Sequence, residues 1–336
     1  MLMGKSNELQ LMSSEFALHV KEGLGRSRKK IKPKYFYDHI GSQLFEEICL
    51  QPEYYLTSTE LDILEDYSPD IISKVYDDDP VRISVLELGS GSSIKTKTFL
   101  RHILKNQNNL YYFPIDVSNT ILHDSVRRLS IEFPNLRIIG IPSDYIEGIT
   151  KASDFIAAKE NVPNRKLILF LGSSIGNLEP NESRSFLRML NNKMKKNDNL
   201  LVGFDLQKET KILNAAYNDK AGITARFNLN LLARINRDLG GEFNLSSFGH
   251  HAFYNKYKKR VEMYLISKIS QRVYVDLIGE TFNFKENERI HTESSYKYTL
   301  EQIAHLAKDS GFEVKANFLD RNKWFDLALL SPTQFP

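Results

Sequence analysis

The chain of 336 residues contains a single cysteine, Cys49. It can form no intrachain disulfide, and metal sites built from several thiolates are excluded, which suits a reducing compartment. No apolar run approaches the roughly 20 residues needed to span a bilayer. The opening stretch MLMGKSNELQ has no signal-peptide hydrophobic segment, so a soluble, unprocessed, cytoplasmic protein is expected. Neither sign of charge dominates, since 45 Lys and Arg stand against 42 Asp and Glu for a net charge of +3. The short basic runs Arg26 to Lys34 and Lys256 to Arg260 read as solvated faces, so neither a nucleic acid nor a membrane is an expected partner. His250 and His251 adjoin, but no third ligand has metal-site spacing, and no metal is expected. With 41% apolar residues, a chain of this length can bury a large core. It is expected to fold as two domains or as one domain with a large insertion.

What is present begins at Ile83 to Lys95, ISVLELGSGSSIK. An apolar β-branched strand ending in Gly89-Ser90-Gly91 and feeding a helix lets backbone N–H groups come close to a ligand. A dinucleotide fingerprint would need a third glycine where Ser92, Ser93 and Ile94 stand, so an adenosine-bearing ligand without a pyrophosphate fits better. A second strand, Leu110 to Val117, reaches Asp116, where an acid can accept hydrogen bonds from two ribose hydroxyls. Capping of the next helix is the alternative role for Asp116, although Ser118 could serve there by itself.

Strands and helices then alternate. A helix is expected near Ile94 to Lys105, another over Ser118 to Phe133, a third strand over Leu136 to Ile141 ending in Ser143-Asp144-Tyr145, and a fourth over Lys166 to Leu171 ending in GSSIGN. A helix over Pro180 to Lys195 and a fifth strand over Leu200 to Leu206 follow. Thr210 to Leu239 reads as helices and Ala252 to Phe284 as antiparallel strands, an insertion with its own character. The first pattern resumes with a helix over Thr299 to Ser310, Gly311 as its stop, and closing strands over Glu313 to Phe318 and Phe325 to Leu330. The expected fold is α/β, the Rossmann-like seven-stranded sheet of class I S-adenosylmethionine-dependent methyltransferases, over 61–206 and 297–336. A second, smaller α+β substrate-binding domain is expected from 1–60 and 207–296.

Several longer stretches carry a resemblance: YFYDHIGSQLFEEICLQPEYYLTSTE, LELGSGSSIKT, FPIDVS, LFLGSSIGNLEP, AAYNDKAGITARFNLNLLARINRDLGGEFN, RVEM and IHTESSYKY. Together, in order from about Lys34 to the C-terminus, they resemble the histidine-specific N-methyltransferases of ergothioneine biosynthesis. The resemblance implies a two-lobed transferase that methylates the α-amine of L-histidine three times, giving the betaine hercynine, with S-adenosyl-L-methionine as methyl donor; a monomer is expected. By that similarity Gly89 lies under the cofactor, Lys95 pairs with its methionine carboxylate, Asp116 holds the ribose, and Asp144 with Tyr145 flanks the adenine. Gly172 and Asn177 are placed at the substrate's amine and carboxylate, Asn177 offering an acceptor to the amine, and Tyr217 at the carboxylate. Glu293 and Ser295, two apart, share one face of an extended strand and can hold an imidazole through both nitrogens. Tyr37 and Tyr54 close the other side, and Met263 packs against the ring or the methylated amine. Where relatives have an apolar residue after the acid and a small one after the serine, this chain has Ser294 and Tyr296.

Methyl transfer from a sulfonium is an in-line displacement, so the protein must align a neutral amine and exclude water. Tyr37 or a bound water is the expected proton acceptor. Three other readings remain at this stage. One is a relative acting on another amine such as a prenylated tryptophan, which would not need the imidazole clamp. Another is a nicotinamide-dependent oxidoreductase, for which no residue is marked for hydride chemistry. The third is a non-catalytic histidine or cofactor sensor.

Overall fold

A computed structural model describes residues 14–76, 82–159, 161–163 and 165–333; the opening MLMGKSNELQ lies outside them. The chain divides into two compact units, one comprising residues up to Tyr54 with Glu209–Ser295, the other Tyr55–Lys208 with Tyr296 onward. The first crossing falls at 54/55 because Tyr55–Tyr76 is one uninterrupted helix that belongs wholly to the second unit.

That second unit runs, in chain order, through α1 (Tyr55–Tyr76), β1 (Ile83–Leu88), α2 (Ile94–Asn106), β2 (Leu110–Asp116), α3 (Asn119–Glu132), β3 (Leu136–Ile138), β4 (Ile141–Pro142), α4 (Tyr145–Ala158), β5 (Arg165–Phe170), α5 (Pro180–Asn192), β6 (Asn199–Asp205), α6 (Leu300–Asp309), β7 (Phe312–Leu319) and β8 (Phe325–Pro332). The strands form one sheet in the order β7-β8-β6-β5-β1-β2-β3, with β4 also on β2. From β6 to β3 all neighbours are parallel, whereas β8 runs antiparallel to both β6 and β7. This parallel-dominated sheet with an antiparallel closing pair is the class I methyltransferase arrangement expected from the strand pattern.

Burial on both faces explains the unbroken apolar runs of the central strands. Successive residues point to opposite faces, so Leu86, Leu88, Phe113, Ile115, Ile168 and Phe170 enter one core while Val85, Tyr112, Leu167 and Leu169 enter the other. The expected third strand is in fact two short pieces. The ladder with β2 lapses between Ile138 and Ile141, where Gly140 adds no side chain to the sheet, and Pro142 ends the second piece without an N–H to donate. Gly311 stops α6 at φ +83, a conformation that costs a glycine nothing.

The first unit contains a helix over 14–24, helices His39–Cys49, Thr210–Ala216 and Ile223–Leu239, and two small sheets. In one, Phe248–Asn255 pairs antiparallel with Arg260–Ser267, which is in turn bonded to Arg289–Tyr296. The other is the hairpin of Gln271–Val275 and Glu280–Phe284. The strands thus begin four residues before the expected Ala252. Asp38 caps His39–Cys49 by accepting the Gly41 N–H at 2.7 Å, and Arg237 and Asn230 of the long helix bind the same carboxylate at 2.7 and 2.8 Å. Burial raises its pKa, but these donors outweigh it and hold the carboxyl below its ordinary value. No helix among the described residues is long and apolar enough to cross a membrane.

Candidate functional site

The strand order of the second unit reverses between β1 and β5, and open α/β sheets bind ligands at the carboxyl ends beside such a switch. The glycine turn lies there. Gly89 takes φ +67 and Gly91 φ +49, and a Cβ on Gly89 would stand 3.2 Å from the Tyr145 hydroxyl, so only a bare backbone fits beneath that ring. Tyr145, first residue of α4, packs edge-on to Phe170 at 5.5 Å. Asp144 caps the same helix by accepting the Glu147 N–H at 3.0 Å.

Asp116 ends β2 and reaches back to the turn. Its Oδ2 accepts the Gly91 N–H and its Oδ1 the Ser118 N–H, each at 2.8 Å. Burial raises its pKa against these donors. The acid thus holds both the glycine turn and the amide of Ser118, the residue that precedes α3. A carboxylate has about four lone-pair positions, and two donors leave capacity for ribose hydroxyls. The buried Ser90 hydroxyl has no hydrogen-bond partner among the described residues. An adenosine-bearing ligand fits this set of close backbone, acid and orphaned hydroxyl.

Behind the turn, Glu87 is buried and accepts hydrogen bonds from the Thr96 and Tyr112 hydroxyls. Burial pushes its carboxyl up to about 7, against the pull of those two donors and of Lys95. Tyr112 also meets Ser93 Oγ at 3.0 Å, tying β1, β2 and the start of α2 together.

Lys95 pairs with Glu60, a carboxylate of α1 that the sequence analysis did not single out and that is wholly buried. Glu60 also accepts the Gly172 N–H with both oxygens, at 2.8 and 3.0 Å. Gly172 sits at φ +74 after β5, and Asn177 is half-buried at the end of the short turn Ser174–Asn177.

At the carboxyl end of β6, Asp205 gathers a second buried ionic cluster. It accepts the Tyr55 hydroxyl at 2.9 and 2.8 Å, pairs with Lys208, and holds Lys297 at 2.6 Å. Burial raises the Asp205 carboxyl, yet the two cations outweigh it and hold it below its ordinary value. Burial pulls the Lys208 ammonium down to about 8.

The strand Arg289–Tyr296, which lies in the first unit up to Ser295, carries Glu293 and Ser295, both buried. The Tyr217 hydroxyl donates to Ser295 Oγ at 2.8 Å. A phenol has one O–H, so the carboxylate role expected of Tyr217 competes with this bond. The Tyr217 carbonyl is held in turn. His250 meets it through Nε2 at 2.9 Å, and its Nδ1 faces the Asn228 amide nitrogen at 2.9 Å. An amide nitrogen only donates, so Nδ1 accepts and the proton sits on Nε2. Burial lowers the His250 pKa and keeps it neutral. Tyr54 lies edge-on to Tyr217 at 6.4 Å and to Phe45 at 6.1 Å, and Tyr37 edge-on to Phe45 at 5.6 Å. Burial, then Tyr217, Cys49, Tyr37 and Glu293, push the Tyr54 phenol well up. Met263 is buried on the central strand opposite Ala252. Ser294 turns away to His291 Nε2 at 3.0 Å. Tyr296, in the other unit, donates to Glu179 at 2.6 Å. Among the described residues no cluster of three His, Cys, Asp or Glu could hold a metal.

A family model described as histidine-specific methyltransferase, SAM-dependent, matches residues 16–332. The histidine N-alpha-methyltransferase of Mycolicibacterium smegmatis is 35% identical over 333 residues, covering 98% of this chain and 99% of that one. The histidine N-alpha-methyltransferase of Mycobacterium tuberculosis is 36% identical over 309 residues, 91% of this chain and 89% of that one. Ergothioneine biosynthesis protein 1 of Schizosaccharomyces pombe is 28% identical over 285 residues, 84% of this chain and 36% of that longer protein.

Proposed function

Since the chain belongs to the histidine-specific, S-adenosylmethionine-dependent methyltransferase family, we propose that it methylates the α-amine of L-histidine three times, giving hercynine, the trimethylated betaine, as a step of ergothioneine biosynthesis. The observation that carries this reading is the buried Glu293 and Ser295 pair with Tyr217 donating to the serine.

A neutral imidazole has one N–H donor and one acceptor nitrogen. Glu293 can accept from the first. Ser295, positioned by the Tyr217 hydroxyl, meets the second in this reading. A substrate lacking the second nitrogen would leave buried polar groups unpaired, a penalty of about 1–3 kcal/mol for each.

S-adenosylmethionine supplies a methyl group on a sulfonium. In the reading proposed here, Asp116 accepts the ribose hydroxyls, the Gly89 and Gly91 backbone allows close approach, Asp144 and Tyr145 flank the adenine, and Lys95 meets the methionine carboxylate. Gly172 and Asn177 serve the substrate's amine and carboxylate. The α-amine is mostly protonated at neutral pH, so a proton leaves before each of the three transfers. Tyr37 or a water beside it accepts that proton. Tyr54 and Met263 offer the aromatic and thioether surroundings that suit a growing ammonium. The enzyme is taken to act as a monomer on a free amino acid.

Mass spectrometry of the purified chain with S-adenosylmethionine, each standard amino acid and a prenylated tryptophan tests this. The expected result is a gain of three methyl groups on histidine alone. Methylation of a different amine overturns the imidazole clamp, and no methylation of any overturns the reaction.

A further inference from the structure

The Glu60 carboxylate has no exposed surface, yet it meets the glycine turn after β5 and the start of α2 at once. From α1 it meets the Gly172 N–H after β5 and the Lys95 ammonium in the first turn of α2, just past the turn after β1. The space is made for it. A Cβ on Gly203 of β6 would stand 2.5 Å from Glu60 Oε1, and one on Gly172 would stand 3.4 Å from the Lys95 nitrogen. Burying a carboxylate costs several kcal/mol, and a buried ion pair is by itself a weak source of stability. What such a pair does supply is fixed geometry. A lysine is otherwise a flexible four-carbon stem with a point charge, whereas here one of its three donors is directed inward to Glu60. Bonding one donor does not consume the ammonium, and the Lys95 side chain keeps 24% of its surface exposed.

We propose that Glu60 is a positioning residue for the amino-acid end of the methyl donor, holding the Lys95 ammonium and the Gly172 amide at the carboxyl edge of β1 and β5. This rests on the assignment of the methyl donor to that edge. Glu60 does not touch the donor; it acts through Lys95, and its effect depends on the ligand having the carboxylate that Lys95 meets.

Binding of S-adenosylhomocysteine and of 5′-methylthioadenosine, which lacks the amino-acid end, tests the inference by calorimetry on the full chain. Wild-type chain that binds neither would sink the cofactor assignment itself. For Glu60→Gln, S-adenosylhomocysteine is expected to bind at least tenfold more weakly while 5′-methylthioadenosine changes less than twofold, and Glu60→Asp recovers part of the loss. Equal weakening of both ligands means a merely structural acid and overturns the inference, as does unchanged binding of the first. If Glu60→Gln does not fold, Lys95→Met and the double variant E60Q/K95M, which leaves no buried acid without its cation, are compared instead. The double variant is expected to bind S-adenosylhomocysteine within twofold of K95M. A further tenfold loss would show Glu60 acting independently of Lys95 and would overturn the inference too.

Discussion

Glu87→Gln is expected to stabilise the sheet unit, and to do so increasingly as pH rises above about 4.5. The Glu87 carboxyl is held at about 7 against an ordinary value of 4.5, chiefly by burial. Between those two values the folded chain keeps a proton that the unfolded chain has released, so stability is present at low pH and declines as pH rises through the window. Each tenfold in proton affinity is worth about 1.4 kcal/mol, so the decline amounts to about 3 kcal/mol by pH 8. Glutamine has nearly the shape of the protonated acid, keeps one acceptor oxygen beside an amide nitrogen that donates, and never ionises. Variant and wild type should therefore match near pH 4 and separate to about 3 kcal/mol in the variant's favour near pH 8. A unit of this size shifts about 2–4 °C per kcal/mol, so roughly 6–12 °C is expected. Trp324, the chain's one tryptophan, lies in the same unit against Tyr55 at 5.4 Å. Its fluorescence during urea unfolding therefore reports the right transition. Asp326, also buried and pushed up to about 7, tilts wild type and variant alike, so the difference between them isolates Glu87. A gap that stays constant from pH 4 to 8, or that favours wild type at pH 8, refutes the reasoning.

Tyr217→Phe removes the donor to Ser295, worth about 1 kcal/mol. The KM for histidine should rise about fivefold with the KM for S-adenosylmethionine unchanged, and initial rates in which both rise together would sink that link. Asp116→Asn loses an anionic acceptor that also fixes the Gly91 and Ser118 amides. S-adenosylhomocysteine should bind about 10–100-fold more weakly, at about 1.5–3 kcal/mol per hydrogen bond to a charged group; an unchanged Kd by calorimetry would remove Asp116 from the site.

The central strands and the turn between β1 and α2 were readable because their signals are local. A buried parallel strand needs an apolar run, and a turn under a ligand needs glycine, so SVLELGSG states both within eight residues. The divided third strand was less plain, since Gly140 and Pro142 interrupt a ladder without interrupting the apolar composition. Glu60 could not be singled out at all. A glutamate in the second turn of a helix reads as solvated, and what buries it comes from positions 95, 172 and 203. Asp205 is similar, because two of its three partners, Tyr55 and Lys297, meet it from distant parts of the chain. Of the proposed imidazole clamp, period-two spacing puts Glu293 and Ser295 on one face, but no local pattern linked Ser295 to Tyr217 or Tyr217 to His250.

The pairing of Leu206 with Tyr298 has an architectural consequence. These residues form a parallel bridge, Gln207 donates to the Tyr298 carbonyl at 2.9 Å, and Tyr298 donates to the Asp205 carbonyl at 2.9 Å. The segment 209–295 therefore departs from the sheet unit and rejoins it at neighbouring points, about one strand spacing apart. A graft of any length at that place asks nothing of the sheet except that its two ends be near each other. The length and content of the inserted segment can therefore vary without altering a strand of the sheet.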